Sequence, residues 1–563
     1  MEKIDMQSTH TKRRIVMAWM GLALLGVLLS ACAGPSSTAP QSPTASAMGS
    51  FKIVGIGPGD GDLMTVRAVT AISHADVVFC SSKTREKLSP YVDLSGKQVL
   101  DGYGVLFRFY GRDCSQVKER NQSRQRMSCE EYHDKQAEFA QLVRAAVSAG
   151  KHVVLLSSGD PTIYGPDLWS VKELKNLHPT VIPGLSAFNA ANAALKVSLG
   201  EVMLTAPFTK EGSRDTIEQL AGHDRATMVI FMPRDMQDLF ARLSRSYPSD
   251  TPVAIVGNAG MVGQEKITIG TVKGFTKNLS GIDQMRSIIY VGQTLDHAQC
   301  KATPNSASGK SKFYLVGVGP GDADLITLRG KKIIEAADLI FVHERLKEKF
   351  KDVLSGKEIH TGYNHLFPFY GKKCSDVPKT EKTRGRMSCD EYHQKQAEFA
   401  AMVRAAVADG KTVAMLDSGD PMVYGPCSWS LTELSDLDTE VVPGLSCFNA
   451  ANAALKAGVT EGEKSHSVIL ASGWSVEEMA AHQSTMVLFT MRTQFKTFID
   501  GLSAHYPADT PVAIVFSAGY AEKERVLQGT LGTIQDQVGT GRLPFEYLLY
   551  VGDFLADGGR VAH

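Results

Sequence analysis

A chain of 563 residues is too long for one hydrophobic core and divides into several domains. Its 60 Lys plus Arg balance 60 Asp plus Glu, so no global positive field draws it to nucleic acid. At 43% hydrophobic and 21% charged residues, the composition is that of an ordinary globular protein.

The N-terminus stands apart from the fold. Lys12-Arg13-Arg14 is a basic segment, and residues 15–29 form an apolar run of 15, short for a membrane span and suited to a signal sequence. The run ends Leu29-Ser30-Ala31-Cys32, which resembles a bacterial lipobox. That resemblance implies a signal peptide over residues 1–32, lipidation of Cys32 and a Pro/Ser/Thr/Ala tether over residues 33–50. Ala33 after the cysteine points to the outer membrane of a Gram-negative cell envelope, on its periplasmic side, with the lipid as the only membrane attachment. The alternative is a short membrane anchor with an incidental cysteine.

Past the tether, one unit is written twice. Gly55-Ile-Gly-Pro-Gly-Asp60 is answered by Gly317-Val-Gly-Pro-Gly-Asp322, an offset of 262. Ser158-Gly-Asp-Pro-Thr-Ile-Tyr-Gly165 and Pro183-Gly-Leu-Ser-Ala-Phe-Asn189 return at Ser418 and Pro443, each offset by 260. So long a period is a domain duplication. Unit one is assigned residues 51–298 and unit two 312–555, with a polar linker at 299–311. Within unit one, 52–56 reads as a strand, 63–75 as a helix capped by Asp62, and 76–79 as a strand. Residues 131–149 read as a long helix stopped by Gly150, and 152–156 as the next strand. After the Pro183-Gly184 hinge come a helix over 186–197 and strands at 227–232, 252–256 and 287–291. Continuous apolar strands alternating with helices predict an α/β fold with buried sheets. The hinge divides each unit into two α/β subdomains, 51–182 and 183–298, then 312–442 and 443–555.

Of nine cysteines, Cys114 and Cys129 lie 15 apart, and Cys374 and Cys389 repeat that spacing. In an oxidising compartment each pair reads as a disulfide, Cys114-Cys129 and Cys374-Cys389, contributing roughly 3 kcal/mol by loop closure. A metal pair is the rival, without CxxC spacing or clustered His. Cys80, Cys300, Cys427 and Cys447 have no counterpart in the other copy and read as idle thiols.

Taken singly, Gly55–Asp60 reads as a tight turn and Gly159-Asp160-Pro161 as either turn or ligand site at a strand's carboxyl end. Neither is a dinucleotide fingerprint or a P-loop. Together, in this order, the three motifs closely resemble the tetrapyrrole methylases, the class III S-adenosylmethionine methyltransferases of corrin and sirohaem synthesis. The likeness covers nearly all of both units and is closest in flavour to the cobalamin-branch precorrin methylases.

The resemblance implies a cofactor cleft between the two subdomains of each unit. By position it assigns S-adenosylmethionine contacts to Pro58, Ser158, Gly159, Asp160, Ile163, Ser186, Ala187, Met232 and Ala259. In unit two the set is Pro320, Ser418, Gly419, Asp420, Val423, Ser446, Cys447, Thr490 and Ala518. The substrate would be a corrin- or porphyrin-type small molecule, and alignment of its ring carbon with the sulfonium methyl supplies most of the effect. The proton-accepting Asp that the family's uroporphyrinogen enzymes carry after the second strand is Ser81 in one copy and His343 in the other, so that role does not carry over. His343 stands as a candidate base, with a surface histidine as the plainer reading. Relatives work as homodimers, so the duplication implies an intramolecular pseudo-dimer.

Both copies also hold a segment outside the family pattern, 102–139 and 362–399, with the paired cysteines, Tyr110, Tyr370, His133 and His393. One reading is an aromatic lid whose imidazoles reach a macrocycle's metal. The other is an Ω-like loop packed on its own aromatics, with His133 on the wet face of its helix. Two functions follow from the whole chain: a tandem methyltransferase, or an exported lipoprotein that uses the same cleft only to bind a tetrapyrrole or another small molecule.

Overall fold

A computed structural model describes residues 49–117, 127–223, 225–297, 312–378, 387–473, 475–489, 494–539 and 543–558. The assignments at Cys32, Cys300 and Thr490, the signal peptide, nearly all of the tether and almost the whole linker lie outside these residues. Among the described residues, no helix is long and apolar enough to cross a membrane.

Each unit begins with a five-stranded parallel sheet. In unit one the order is Gln98–Leu100, Val77–Phe79, His152–Ser157, Ser50–Gly55, Thr180–Ile182. Unit two repeats it with Glu358–His360, Leu339–Phe341, Val413–Asp417, Phe313–Gly317 and Thr439–Val442. These strands are short apolar runs because both faces are covered; Ile53, Val54, Val78 and Val153 are fully buried.

The second halves do not form separate sheets. Their strands join in one mixed ten-stranded sheet, five from each unit. The join is an antiparallel pairing of Val202–Thr205 with Val468–Ala471, in which Met203 faces Ile469. One apolar core below this sheet draws on both units, from Met203 and Phe240 to Met486 and Phe498.

Local chemistry sets the helix ends. Cys129–Ser148 starts at a capping box: the Glu131 amide donates to Ser128 Oγ at 3.1 Å, and the Ser128 amide donates to Glu131 Oε2 at 2.6 Å. It ends beside Gly150, whose φ of +79° suits glycine. The early helix runs only Val66–Ser73, and its cap is Thr65, not Asp62. Asp62 is taken by Arg329 of unit two, whose Nη2 reaches Asp62 Oδ1 at 2.7 Å and Asp60 Oδ2 at 3.1 Å. Arg67 makes the reciprocal pairs with Asp324 at 2.7 Å and Asp322 at 3.1 Å.

The aromatic segments pack inward. Tyr103, Phe109 and Tyr110 join Tyr132, Phe139 and Trp169 in the core of the first sheet. Disulfides Cys114–Cys129 and Cys374–Cys389 pin the segments, with Cα separations of 5.6 and 5.7 Å. His133 is not on a wet helix face: its Nε2 donates to the Phe109 carbonyl at 2.9 Å, as His393 does to Phe369 at 3.0 Å. Both imidazoles hold their own loops.

Candidate functional site

The three motifs meet where main chain touches main chain. Gly57 and Gly159 exchange backbone hydrogen bonds, and Gly319 and Gly419 form the same bridge in unit two. A Cβ on Gly55 would stand 2.5 Å from the Gly184 nitrogen, and one on Gly184 would strike the Gly159 carbonyl. The glycines of the first and third motifs are therefore required for close approach, at the carboxyl ends of parallel strands.

Around this junction the structure gathers most of the expected residues. Ser158 is exposed at the end of His152–Ser157, and Gly159 follows with a φ of +76°. The space above the Gly159 α-carbon is open: a Cβ there would meet only the Leu185 carbonyl, at 3.8 Å. Ile163, Ala187 and Ala259 belong to one apolar cluster, and Pro58 is half-buried. Met232 has a φ of +52° and is 38% exposed, a strained backbone position of the kind that collects at binding sites. In unit two, exposed Ser418, Gly419, Val423, Cys447 and Ala518 repeat the arrangement, and Pro320 is buried. An open glycine with small apolar neighbours is a cradle that fits a folded nucleoside cofactor lying on main chain.

Four expected contacts are placed elsewhere. Asp160 is 2% exposed, and its Oδ1 accepts from the Thr162 amide at 2.8 Å and Thr162 Oγ1 at 2.6 Å. Its Oδ2 accepts from Asn449 Nδ2 of unit two at 2.7 Å. Asp420 accepts from Asn189 Nδ2 of unit one at 2.7 Å. Neither carboxylate faces the cradle. Ser186 and Ser446 are buried helix caps: each gives its hydroxyl to the Oδ1 of its own helix's asparagine, at 2.8 Å to Asn189 and 3.0 Å to Asn449. The Ser-Gly-Asp-Pro motif of one unit is thus fastened to the Ser-x-Phe-Asn motif of the other.

Burial, opposed by bonds from Thr162, pushes Asp160 up to about 6. Burial likewise pushes Asp420 up to about 7, opposed by Asn189. Position 422 is Met, so Asp420 lacks the hydroxyl that Thr162 gives Asp160. A second buried carboxyl lies at the same strand end. In unit one it is Asp167, raised to about 6 by burial against the pull of Ser157. In unit two it is Asp417, raised to about 7 by burial, whose Oδ2 accepts from the Cys427 amide at 3.1 Å. Residue types at the equivalent positions, 157/417 and 167/427, have traded the acid.

His343 is a helix cap. Its Nδ1 accepts from the Arg345 amide at 3.2 Å, so its proton sits on Nε2 and the ring is placed to donate, not to act as a base. Ser81 caps in the same manner, its Oγ accepting from the Thr84 amide at 3.1 Å. Sequence reasoning missed Asp101, whose Oδ2 accepts from the Ser82 amide at 2.9 Å and which these bonds hold below the usual carboxylate range. It ends a strand next to the one before Ser81, a register signal that only the sheet order reveals.

A parallel α/β sheet with a glycine-floored crevice at its strand ends defines a cofactor-binding enzyme unit, here in two copies. The family model for Tetrapyrrole (Corrin/Porphyrin) Methylases matches residues 50–275 and 312–535. The chain belongs to that family of S-adenosylmethionine-dependent methyltransferases. It is 32% identical over 257 residues to a cobalt-precorrin-4 C(11)-methyltransferase of Methanocaldococcus jannaschii, covering 43% of this chain and 88% of that protein. A precorrin-4 C(11)-methyltransferase of Pseudomonas aeruginosa is 27% identical over 262 residues, covering 44% and 91%. Among solved structures, a cobalt precorrin-4 methyltransferase of cobalamin biosynthesis matches with a TM-score of 0.34 and 24% identity, over 43% of this chain and 94% of that one.

Proposed function

We propose that this chain is a tandem methyltransferase acting on a precorrin-like corrin precursor. The observation that carries the reading is the 32% identity to a cobalt-precorrin-4 methyltransferase over nearly that protein's full length. The cofactor, when bound, supplies an electrophilic methyl group; its transfer to a ring carbon leaves S-adenosylhomocysteine and releases a proton. The chain's part is to hold and align. In this reading Ser158, Gly159 and Ala187 form the floor and wall against which the cofactor lies. The aromatic segment reaches the same edge: Asn364 Nδ2 donates to the Leu416 carbonyl at 2.7 Å, two residues before Ser418. Phe107 and Phe367 stand 46% and 54% exposed on these segments, flat apolar surface suited to a macrocycle face. Full-length protein given S-adenosylmethionine and cobalt-precorrin-4 should yield a product heavier by one methyl substitution. Absence of calorimetric heat with millimolar S-adenosylhomocysteine would sink the reading.

A second reading is an exported lipoprotein that binds a tetrapyrrole, or another small molecule, without catalysis. The Leu29-Ser30-Ala31-Cys32 sequence and the two disulfides favour it, since disulfides persist in oxidising compartments. It places the chain in a bacterial envelope, anchored through lipid on Cys32. Mass analysis of the mature N-terminus tests this placement: an unmodified Met1 would remove it. Haem or cobalamin titrations that show tight binding without turnover would favour this function.

A further inference from the structure

The two units differ in length on either side of one matched strand. Val202–Thr205 and Val468–Ala471 are equivalent, each pairing in parallel with the strand that follows it, Thr227–Ile230 or Thr485–Phe489. Before this strand, unit two has 11 residues after its helix cap, 457–467, where unit one has five, 197–201. After it, unit one has 21 residues, 206–226, against 13 in unit two, 472–484. Each unit thus has one long connection and one short one, in opposite order.

The two long connections grip each other. Lys210 Nζ donates to the carbonyls of Gly462 and, at 2.9 Å, Ser465. Asp215 Oδ2 accepts from the amides of His466 at 2.9 Å and Ser467 at 2.8 Å. The grip sits against the unit-one motif 158–165. There the Val459 amide donates to the Thr162 carbonyl at 3.0 Å, and Thr460 Oγ1 accepts from the Tyr164 amide at 3.0 Å. The Tyr164 hydroxyl donates to the His466 carbonyl at 2.7 Å. The reverse contact, on the motif of unit two, is thinner. The Leu199 amide donates to the Met422 carbonyl at 3.2 Å, but the Tyr424 hydroxyl reaches only the Leu470 carbonyl of its own unit, at 3.5 Å. Counted back from the matched strands, the place of His466 is taken in unit one by Gly200, where a Cβ would meet nothing within 4 Å.

The grip builds an aromatic wall beside the unit-one crevice. Tyr164 follows Ile163 and Phe231 precedes Met232, two of the expected cofactor contacts, and the Tyr164 and Phe231 rings lie 5.1 Å apart. The ring of Phe208 stands 6.3 Å from that of Tyr164 and 4.8 Å from the imidazole of His466. His466 is fully buried and Phe208 is 44% exposed, so the imidazole backs a phenyl face that stays open. A phenyl face held in place before binding stacks on a flat conjugated ring with little entropy left to lose. We propose that the chain has one working crevice, that of unit one, completed by residues 459–467 of unit two, and that Phe208 stacks there on the adenine ring of the S-adenosyl cofactor. This rests on the methyltransferase reading. His466 is a positioning residue that acts through Phe208, and the unit-two crevice, without the grip, holds the cofactor more weakly.

The test uses full-length protein with S-adenosylhomocysteine as the probe. Calorimetry should give one bound molecule per chain. Ser158 and Ser418 are both exposed at the crevice floors, so a large side chain at either blocks its own crevice without entering the core. Ser158→Trp should abolish binding, and Ser418→Trp should leave it unchanged. Phe208→Ala, at an exposed position, should weaken binding about 3–10-fold, the worth of one ring contact. His466→Ala should weaken it to the same extent, and His466→Phe, which restores a ring behind Phe208, should recover it. Two equal sites per chain, or loss of binding in Ser418→Trp, overturns the proposal. So does unchanged affinity in Phe208→Ala, which would turn that ring toward the macrocycle. No heat from the wild type instead overturns the methyltransferase reading, and the single crevice with it.

Discussion

Asn189 of unit one donates from Nδ2 to Asp420 of unit two at 2.7 Å, and Asn449 returns the same bond to Asp160 at the same distance. Both pairs are buried. Each asparagine also fixes the Ser cap of its own helix, so the two crevices share one hydrogen-bond network. Removing a buried donor leaves its acceptor unsatisfied, at a cost of about 1–3 kcal/mol. Asn189→Ala and Asn449→Ala should each destabilise by that amount in urea unfolding. By contrast, Asp160→Asn should leave S-adenosylhomocysteine affinity close to wild type, because the carboxylate faces Asn449 and not the cradle. A tenfold loss, about 1.4 kcal/mol, would return Asp160 to the cofactor.

Stability should fall as pH rises through the neutral range. Burial holds Asp160 and Asp167 at about 6 and Asp417 and Asp420 at about 7. An unfolded Asp titrates near 3.9, so between roughly pH 4 and 7 the folded chain holds more protons than the unfolded one. Their contribution is therefore full below the unfolded value and is lost as pH climbs past the folded values. Asp215 works the other way but outside this window. Burial would raise it, yet His466 at 3.0 Å and other donors hold it at about 2. The melting temperature should be higher near pH 5.5 than near pH 8, and Asp420→Asn should flatten the slope. A melting temperature that climbs across this interval would mean these carboxyls are ionised in the folded chain.

Much of this was legible in the sequence because the chain repeats itself. Apolar runs located the strands, and Gly150 marked the end of its helix. The motif glycines marked the places where main chain meets main chain, as at Gly55 and Gly184. What stayed hidden depends on contacts between the copies. Asp160, Asp62 and His466 each read locally as ligand, cap or nothing, and each finds its partner more than 200 residues away. No periodicity reports such a pairing. His343 misled for a related reason: a histidine at a strand end reads as a base until the following amide is seen to occupy its Nδ1.

The paired arginines should be unequal. Arg329 and Asp62 are 16% and 25% exposed, whereas Arg67 and Asp324 are 24% and 43% exposed. Interactions strengthen as water is excluded, and breaking a pair costs most where the partner stays buried. Arg329→Met should destabilise by about 1–3 kcal/mol, and Arg67→Met by less, between the buried and the surface limits. Added salt should widen the difference, because the more exposed Arg67 pair is the more strongly screened. Equal losses, measured by denaturant midpoint at constant m-value, would show that these side chains act mainly through packing.

The traded acid gives the most specific expectation. Unit one places Ser157 against Asp167, and unit two places Asp417 against Cys427. Besides Asp160 or Asp420, each unit keeps one buried carboxyl in this contact, on opposite sides of it. Ser157→Asp would put two carboxyls where one is already raised to about 6 by burial. A second buried carboxyl without a partner costs about 2 kcal/mol or more. Asp167→Cys alone removes the acceptor that Ser157 faces and should cost less. The double change Ser157→Asp/Asp167→Cys recreates unit two's pair and should recover most of the loss, a coupling of about 0.5–3 kcal/mol. Additive losses in the double-mutant cycle would show that the exchange between copies is not compensation.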